Sequence, residues 1–131
     1  TDMAHVYNPN YPSYFQNEHR PLVNHGFCIK INSQARYSTE CEGSSLIKYI
    51  AKKNGIPVQD FIVRQDSPCG TTIGPIIAGK CGIRTVDIGC PQFAMHSIRE
   101  QTGCLDLLYL KDFFVSYFKD YTSSVGSLFD Q

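Results

Sequence analysis

Three features of the sequence point to an α/β architecture in which helices pack on a mixed, largely parallel sheet. Segments of strand character alternate with segments of helix character along the chain, and strands in that order join most simply through right-handed helical crossovers. The 131 residues are 42% hydrophobic and 18% charged, which is the balance of one soluble domain and leaves no room for two. Neither an internal repeat nor a low-complexity tract breaks the pattern.

Residues 1–26 are rich in Pro, Asn, Tyr and His, so they favour turns and extended connections, as a long functional loop or a disordered leader. From Phe27 to Asn32 the side chains alternate, with Phe27, Ile29 and Ile31 on one face and Cys28, Lys30 and Asn32 on the other, which is a strand. Ser44 is placed to cap a helix through about Asn54, because Leu46, Ile47, Ile50 and Ala51 share one face and Asn54-Gly55 offers a left-handed stop. Pro57 prevents its continuation. Phe61-Ile62-Val63 reads as a short buried strand that turns out through residues 66–72.

Thr71 or Thr72 is placed to cap a second helix to about Lys80, since Gly74 and Pro75 are tolerable only in a first turn, and Gly82 closes it. Thr85 to Ile88 predicts another strand, followed by a turn at Gly89-Cys90-Pro91. The last helix runs from about Cys104 to Tyr121, with Leu107, Leu110, Phe114, Tyr117 and Tyr121 as its apolar stripe. The core is therefore expected over 27–121, with 122–131 as a frayed tail.

Composition removes several classes of function. Twelve basic residues balance twelve acidic ones, so no broad field attracts nucleic acid or anionic lipid. The longest apolar stretches, such as Ile73 to Ala78, fall far below the roughly 18 residues that span a bilayer. No basic-then-apolar signal segment is visible, so the expectation is a protein of the cytoplasm. Six cysteines without CxxC spacing, in a chain with ample Ile, Leu and Phe, favour reduced, mostly buried thiols over a structural zinc site or a disulfide framework. The opening Thr1-Asp2-Met3-Ala4-His5 has no initiator methionine, as expected of a stretch numbered from inside a longer protein.

Ligands of α/β sheets gather where strands end, and those ends hold Asp2, Asp66, Gly70 and His96. Asp2 and His5 form a D-x-x-H spacing that can address one site, or serve as ordinary turn and capping groups. His96 lies in an apolar neighbourhood, as a ligand or as a satisfied core histidine. A carboxylate with an imidazole suits zinc, but two ligands do not complete a centre, and the chain contains neither a Glu-Glu pair nor H-E-x-x-H. Lys30 leaves its strand away from the core, as an edge-strand lysine in water or as a cation that recognises an anion. Gly70-Thr71-Thr72-Ile73-Gly74-Pro75 at a helix start either aims N–H groups at a developing oxyanion or is simply a tight turn into the helix. The Tyr37 hydroxyl reaches the same pocket unless the ring only packs.

The stretches Asp2-Met3-Ala4-His5 with Pro9-Asn10-Tyr11, Asn17 to Leu22, Ile29-Lys30-Ile31-Asn32, Arg36-Tyr37, Val63 to Pro75 and Pro91 to Glu100 together resemble the C-terminal part of an aspartyl aminopeptidase. The resemblance covers residues 1 to about 118. It implies an incomplete C-terminal portion of the catalytic domain of a dinuclear zinc exopeptidase. By this resemblance Asp2 is a terminal carboxylate ligand of one zinc and His96 an imidazole ligand of the other. The remaining ligands and the glutamate general base lie upstream. Lys30 would face the acidic side chain of an N-terminal Asp or Glu, with Tyr37 nearby. His5 would support the metal site, and the Gly70-Thr71 backbone would line the pocket.

Two departures from the family pattern stand out. Where the family usually has H-P-N, with a His that acts in an adjoining subunit, this sequence has Asn8-Pro9-Asn10. An amide donates a hydrogen bond but carries no proton or charge at neutral pH, so oxyanion stabilisation is expected to weaken. The link Gln101 to Leu105 is also shorter than is usual before the last helix. Two functions follow as expectations. One is an aminopeptidase that cleaves N-terminal Asp or Glu by zinc-activated water, with this chain supplying part of the site. The other is a non-catalytic homologue that joins the homo-oligomer the resemblance implies.

Overall fold

The computed structural model describes residues 1–129. In order these are β1 (Ala4–His5), a 3-10 turn (Pro12–Tyr14), β2 (Phe27–Ile31), α1 (Cys41–Lys53), β3 (Val58–Ile62), α2 (Gly74–Cys81), β4 (Ile88–Gly89), β5 (Pro91–Phe93), β6 (Gln101–Thr102) and α3 (Cys104–Phe129). The strands form two three-stranded sheets, ordered β3-β2-β4 and β1-β5-β6. In each, one pair is parallel, β2 with β3 and β1 with β5, and one antiparallel, β2 with β4 and β5 with β6.

The alternation of β2 decides the layering. Phe27 and Ile29 join a core with Leu46, Ile47, Ile50 and Ala51 of α1 and with Phe113 of α3. Cys28 points the other way, into a second cluster with Ala4, Phe15 and Phe61. The face of β2 opposite the main core is therefore covered by protein, and Lys30 on it is 2% exposed. Because β2 is the central strand, the edge-strand reading of Lys30 does not hold.

Several boundaries differ from the sequence-based expectation for identifiable reasons. α1 starts at Cys41, and its N-cap Glu40 makes no side-chain cap bond. Ser44 is inside the first turn, where its hydroxyl donates to the Cys41 carbonyl at 3.0 Å. β3 begins at Val58, opposite Phe27, and Val63 forms a separate bridge to Phe15. Ile73 is the N-cap of α2, while the Thr72 hydroxyl accepts the Gly74 N–H at 3.3 Å from one position ahead. Gly82, at φ 65°, closes α2 as expected.

The expected strand 85–88 is reduced to β4, because Asp87 N–H is taken by the Thr39 hydroxyl. The expected turn at 89–91 is instead an extended crossing between the sheets, with Cys90 alone separating β4 from β5. The leader explains this. Asp2 N–H donates to Ile88 O and Ala4 N–H to Cys90 O, at 3.0 and 2.9 Å, so residues 88–92 have an extended partner throughout. Residues 1–26 are thus built into the fold.

α3 continues to Phe129, so the tail expected over 122–131 is helix through 129, and residues 130–131 lie outside the described residues. Its inward stripe centres on Phe113, whose ring centroid is 4.6 Å from that of Phe27. Leu107 and Tyr121, expected on that stripe, are 51% and 43% exposed. The rotation is set at the helix start. The buried Asp106 carboxylate accepts Gly26 N–H at 2.8 Å and Asn24 N–H at 2.7 Å, and Asn24 Oδ1 accepts Leu105 N–H at 3.1 Å. Gly103 alone separates β6 from α3, and a Cβ there would run into the Asn24 and Asp106 side chains.

All six cysteines are free, but only Cys28 and Cys90 are buried, while Cys41, Cys81 and Cys104 are exposed. The expectation of mostly buried thiols fails because the last three sit on outer helix positions. Among the described residues no helix is long and apolar enough to cross a membrane.

Candidate functional site

One cleft of about 460 Å³ is lined by Asp2, His5, Lys30, Tyr37, Gly70, Thr71 and His96. These seven come from five separate parts of the chain. β1, lying parallel beside β5, brings Asp2 and His5 to the wall that carries the β5–β6 loop with His96. The central strand β2 delivers Lys30 from beneath, and the loops after β2 and β3 add Tyr37 and Gly70-Thr71.

At the floor, Lys30 Nζ lies 3.1 Å from Asp2 Oδ2, with the lysine side chain 3% exposed and the aspartate 62%. Asp2 Oδ1 accepts the Met3 N–H at 2.9 Å, so both carboxylate oxygens are held. The Lys30 ammonium also stands 5.3 Å from the centroid of the Tyr37 ring, within the range where a cation is attracted to an aromatic face. The Tyr37 hydroxyl oxygen accepts the Cys69 thiol at 3.1 Å. Burial first, and then that bond, push the hydroxyl well above the usual tyrosine range, which keeps it neutral.

The His5 ring stands over Phe61 at 6.5 Å. Partial desolvation, then His96 and Lys30, hold its imidazole below the ordinary histidine value, with Asp2 opposing them. Desolvation, the largest of these causes, thus favours a neutral ring. His96 is at the cleft edge with its backbone N–H donated to Glu100 Oε1 at 2.5 Å.

Not every sequence-based candidate belongs here. Asp66 is paired with Arg64 at the surface, 67% exposed in its side chain, and does not line the cleft. Asn8 lies outside it, in an adjoining pocket of about 240 Å³ that also touches His5; its amide oxygen accepts the Asn10 N–H at 3.0 Å. In the 70–75 segment α2 begins only at Gly74, so Gly70 and Thr71, which line the cleft, precede the helix. The Thr72 N–H and the Thr71 hydroxyl are both donated to the Arg36 carbonyl, at 3.3 and 3.1 Å.

The cleft also includes Cys69, Gln92, Met95 and Glu100, to which the sequence reading gave no role. Cys69 and Glu100 stand inside the two longest motif stretches, and their motif position was the available signal. Gln92, 4% exposed on β5, and Met95 stand in the same stretch as Glu100 and had that same signal.

As a metal site the cleft presents the Asp2 carboxylate and the His96 imidazole singled out by the sequence, both ordinary zinc donors, with His5, Cys69 and Glu100 also on its walls. The Asp2 carboxylate is accessible, so the donor chemistry fits zinc. The number of donors does not close a site: among the described residues no three His, Cys, Asp or Glu side chains converge on a point.

The chain is similar to known proteins over nearly its whole length. The chain is 51% identical over 121 residues to an aspartyl aminopeptidase of Dictyostelium discoideum, covering 92% of this chain and 25% of that protein. It is 47% identical over 123 residues to aspartyl aminopeptidase 4 of Saccharomyces cerevisiae, covering 94% and 25%. Among solved structures, a complex of Ape4 and Nbr1 superposes with a TM-score of 0.90 at 44% identity, over 94% of this chain and 23% of that one. The S. cerevisiae mApe1 dodecamer superposes at 0.84 and 34% identity, over 100% and 28%. The chain spans about a quarter of the length of these relatives. Residues 1–118 match the aminopeptidase I zinc metalloproteases, and the chain belongs to that family, M18.

Proposed function

We propose that the protein to which this stretch belongs is an aminopeptidase that removes N-terminal Asp or Glu from peptides. The observation that supports the reading is the cleft itself: the buried Lys30 ammonium, the Asp2 carboxylate and the His5 and His96 imidazoles line one cavity. Asp2 is assigned to one zinc and His96 to the other. The remaining ligands and a glutamate general base are assigned to sequence outside these 131 residues. Zinc, when bound there, supplies a Lewis acid for the scissile carbonyl and for the attacking water.

The work of this chain's own residues follows from their environment. An ammonium has three N–H donors, and Asp2 takes one of Lys30's. The others are available to the acidic side chain of the substrate's first residue. A neutral side chain in that position leaves both the ammonium donors and the desolvated pocket without a matching charge, and this is the source of selectivity. Tyr37, held neutral, gives the lysine an aromatic wall without adding a competing anion. His5 is assigned to the support of the metal site, and the Gly70-Thr71 backbone to the pocket wall.

The test is hydrolysis by the complete protein. Release of the first residue from Asp- and Glu-peptides, lost on chelation, restored by zinc and much slower on Ala-peptides, is the expected result. Release that favours neutral first residues contradicts the assignment of Lys30.

A second reading is favoured by Asn8, whose side chain is engaged with its own turn and cannot carry a proton. In it the protein is a catalytically weak homologue that enters a homo-oligomer, as the mApe1 dodecamer is one. Mixing with a complete relative separates the two. Raised hydrolysis supports the catalytic reading, and co-assembly with unchanged or reduced turnover supports the assembly role.

A further inference from the structure

We propose that Glu100 is a positioning residue for His96, holding the imidazole on the cleft wall by fixing the backbone that carries it. The proposal rests on the reading of His96 as a metal ligand.

β5 and β6 pair antiparallel with Phe93 opposite Gln101, so residues 94–100 are the loop that closes this hairpin. Two of its non-glycine residues are left-handed, Ala94 at φ 54° and His96 at φ 68°. Glycine occupies that region freely, whereas a residue with a Cβ is held there at a cost of about 1 kcal/mol or more. A histidine in such a position needs both a reason for its side chain and a contact that holds its backbone.

The cleft supplies the reason, since His96 lines it. Glu100 supplies the contact: its Oε1 accepts the His96 N–H at 2.5 Å, a charge-assisted bond in a loop whose other bonds are neutral. Those others, Ser97 N–H to the Ala94 carbonyl at 3.0 Å and Arg99 N–H to Ser97 Oγ at 3.2 Å, shape the turn on either side of His96 without touching its own N–H. Holding the peptide plane at 95–96 restricts φ at His96 and so the direction of the Cα–Cβ bond, which narrows the positions on the cleft wall that the ring can reach. The Glu100 side chain lines the same cleft, so the bond is made beside the site rather than on a remote surface.

The experiment measures the zinc dissociation constant of the complete protein by competition with a chromophoric chelator, for Glu100→Ala, Glu100→Gln, Glu100→Asp and His96→Ala. Groups that orient a ligand change metal affinity by roughly 10- to 100-fold when removed, and Glu100→Ala is expected to weaken binding by about tenfold or more on that scale. Glu100→Gln keeps an acceptor oxygen at the same reach and is expected within about threefold of the native value. Glu100→Asp keeps the charge but falls one methylene short, and is expected to behave as the alanine variant does. Glu100 is exposed, so these replacements leave the core intact.

Native affinity in Glu100→Ala, with or without a lowered unfolding midpoint, overturns the proposal, as does full retention in Glu100→Asp. If His96→Ala weakens zinc while Glu100→Ala does not, only the positioning role falls. If His96→Ala binds zinc as the native protein does, the ligand assignment falls and this proposal with it.

Discussion

Lys30 Nζ lies 3.1 Å from Asp2 Oδ2, and the lysine of this pair is enclosed while the aspartate faces the cleft. The two residues are 28 positions apart, and only the parallel placement of the leader beside β5 brings them together. One carboxylate thus serves two assigned partners, the lysine and a metal.

The selectivity prediction follows from that sharing. Lys30→Ala in the complete protein is expected to lower kcat/KM for an Asp-peptide by about tenfold more than for an Ala-peptide, because a site that pairs a substrate charge loses discrimination when its partner is removed. Equal losses on the two substrates would mean that Lys30 only orients Asp2. Steady-state kinetics on matched peptides separates these outcomes.

Gly89 controls the same placement from the opposite side. A Cβ at this position would run into the Asp2 carbonyl oxygen and crowd Met3 Cα at 2.9 Å, both of them backbone that cannot swing aside. Gly89→Ala is expected to destabilise the fold by about 2 kcal/mol or more, in the range of overpacked sites. Gly79 is the control. It lies inside α2, where an added Cβ would meet nothing within 4 Å, so Gly79→Ala is expected to be neutral or to stabilise by about 0.5–1 kcal/mol through helix propensity. Urea unfolding of the two variants reads the difference.

What the sequence made legible was periodic. The alternation of Phe27, Ile29 and Ile31 and the 46/47/50/51 face of α1 recur in the structure as written, because local periodicity and burial agree there. Boundaries governed by distant partners were not legible. Nothing near Gly89 announces that residues 1–6 will lie beside it, so an extended crossing reads as a Gly-Cys-Pro turn. Nothing near Leu107 announces that Asp106 will be fixed by Asn24 and Gly26, which rotates α3 onto Phe113. The candidate site was legible through motif stretches rather than through spacing. Lys30 illustrates the limit: alternation gave its face, but not the protein layer that encloses it.

A pH effect is expected where α1 meets α3. Asn54 Nδ2 donates to Asp120 Oδ2 at 2.9 Å, and Lys53 Nζ lies 3.4 Å from Asp120 Oδ1. The Asn54 bond, the largest cause, together with Lys53 and Lys119 holds the Asp120 carboxyl below its usual value against an opposing desolvation. A carboxyl whose folded value is depressed stabilises the fold above its unfolded value, and that contribution is lost as pH falls through the folded one. Asp120→Asn is therefore expected to lower the unfolding midpoint at neutral pH and to match the native protein once the pH is below the carboxylate range. A deficit that persists unchanged in acid would assign the effect to packing instead. The Asp120 side chain is partly exposed, so the shift is expected to be small and to shrink with added salt.

Zinc binding by the 131-residue chain itself provides the sharpest check on Asp2 and His96. A structural or catalytic zinc needs three or four protein donors, and among the described residues no three such side chains converge. The chain alone is therefore expected to bind zinc with a dissociation constant weaker than about 1 μM, since affinity accumulates with each donor added to a preformed site. The residual binding is expected to fall further in both Asp2→Ala and His96→Ala, each of which removes one of the two assigned donors. Titration calorimetry decides the matter: micromolar or tighter binding that survives both substitutions would show that the metal is held by other side chains, with free thiols such as exposed Cys41, Cys81 and Cys104 the first to replace by serine. Weak binding that disappears with either residue would place both donors on the same ion or on ions coupled through this cleft.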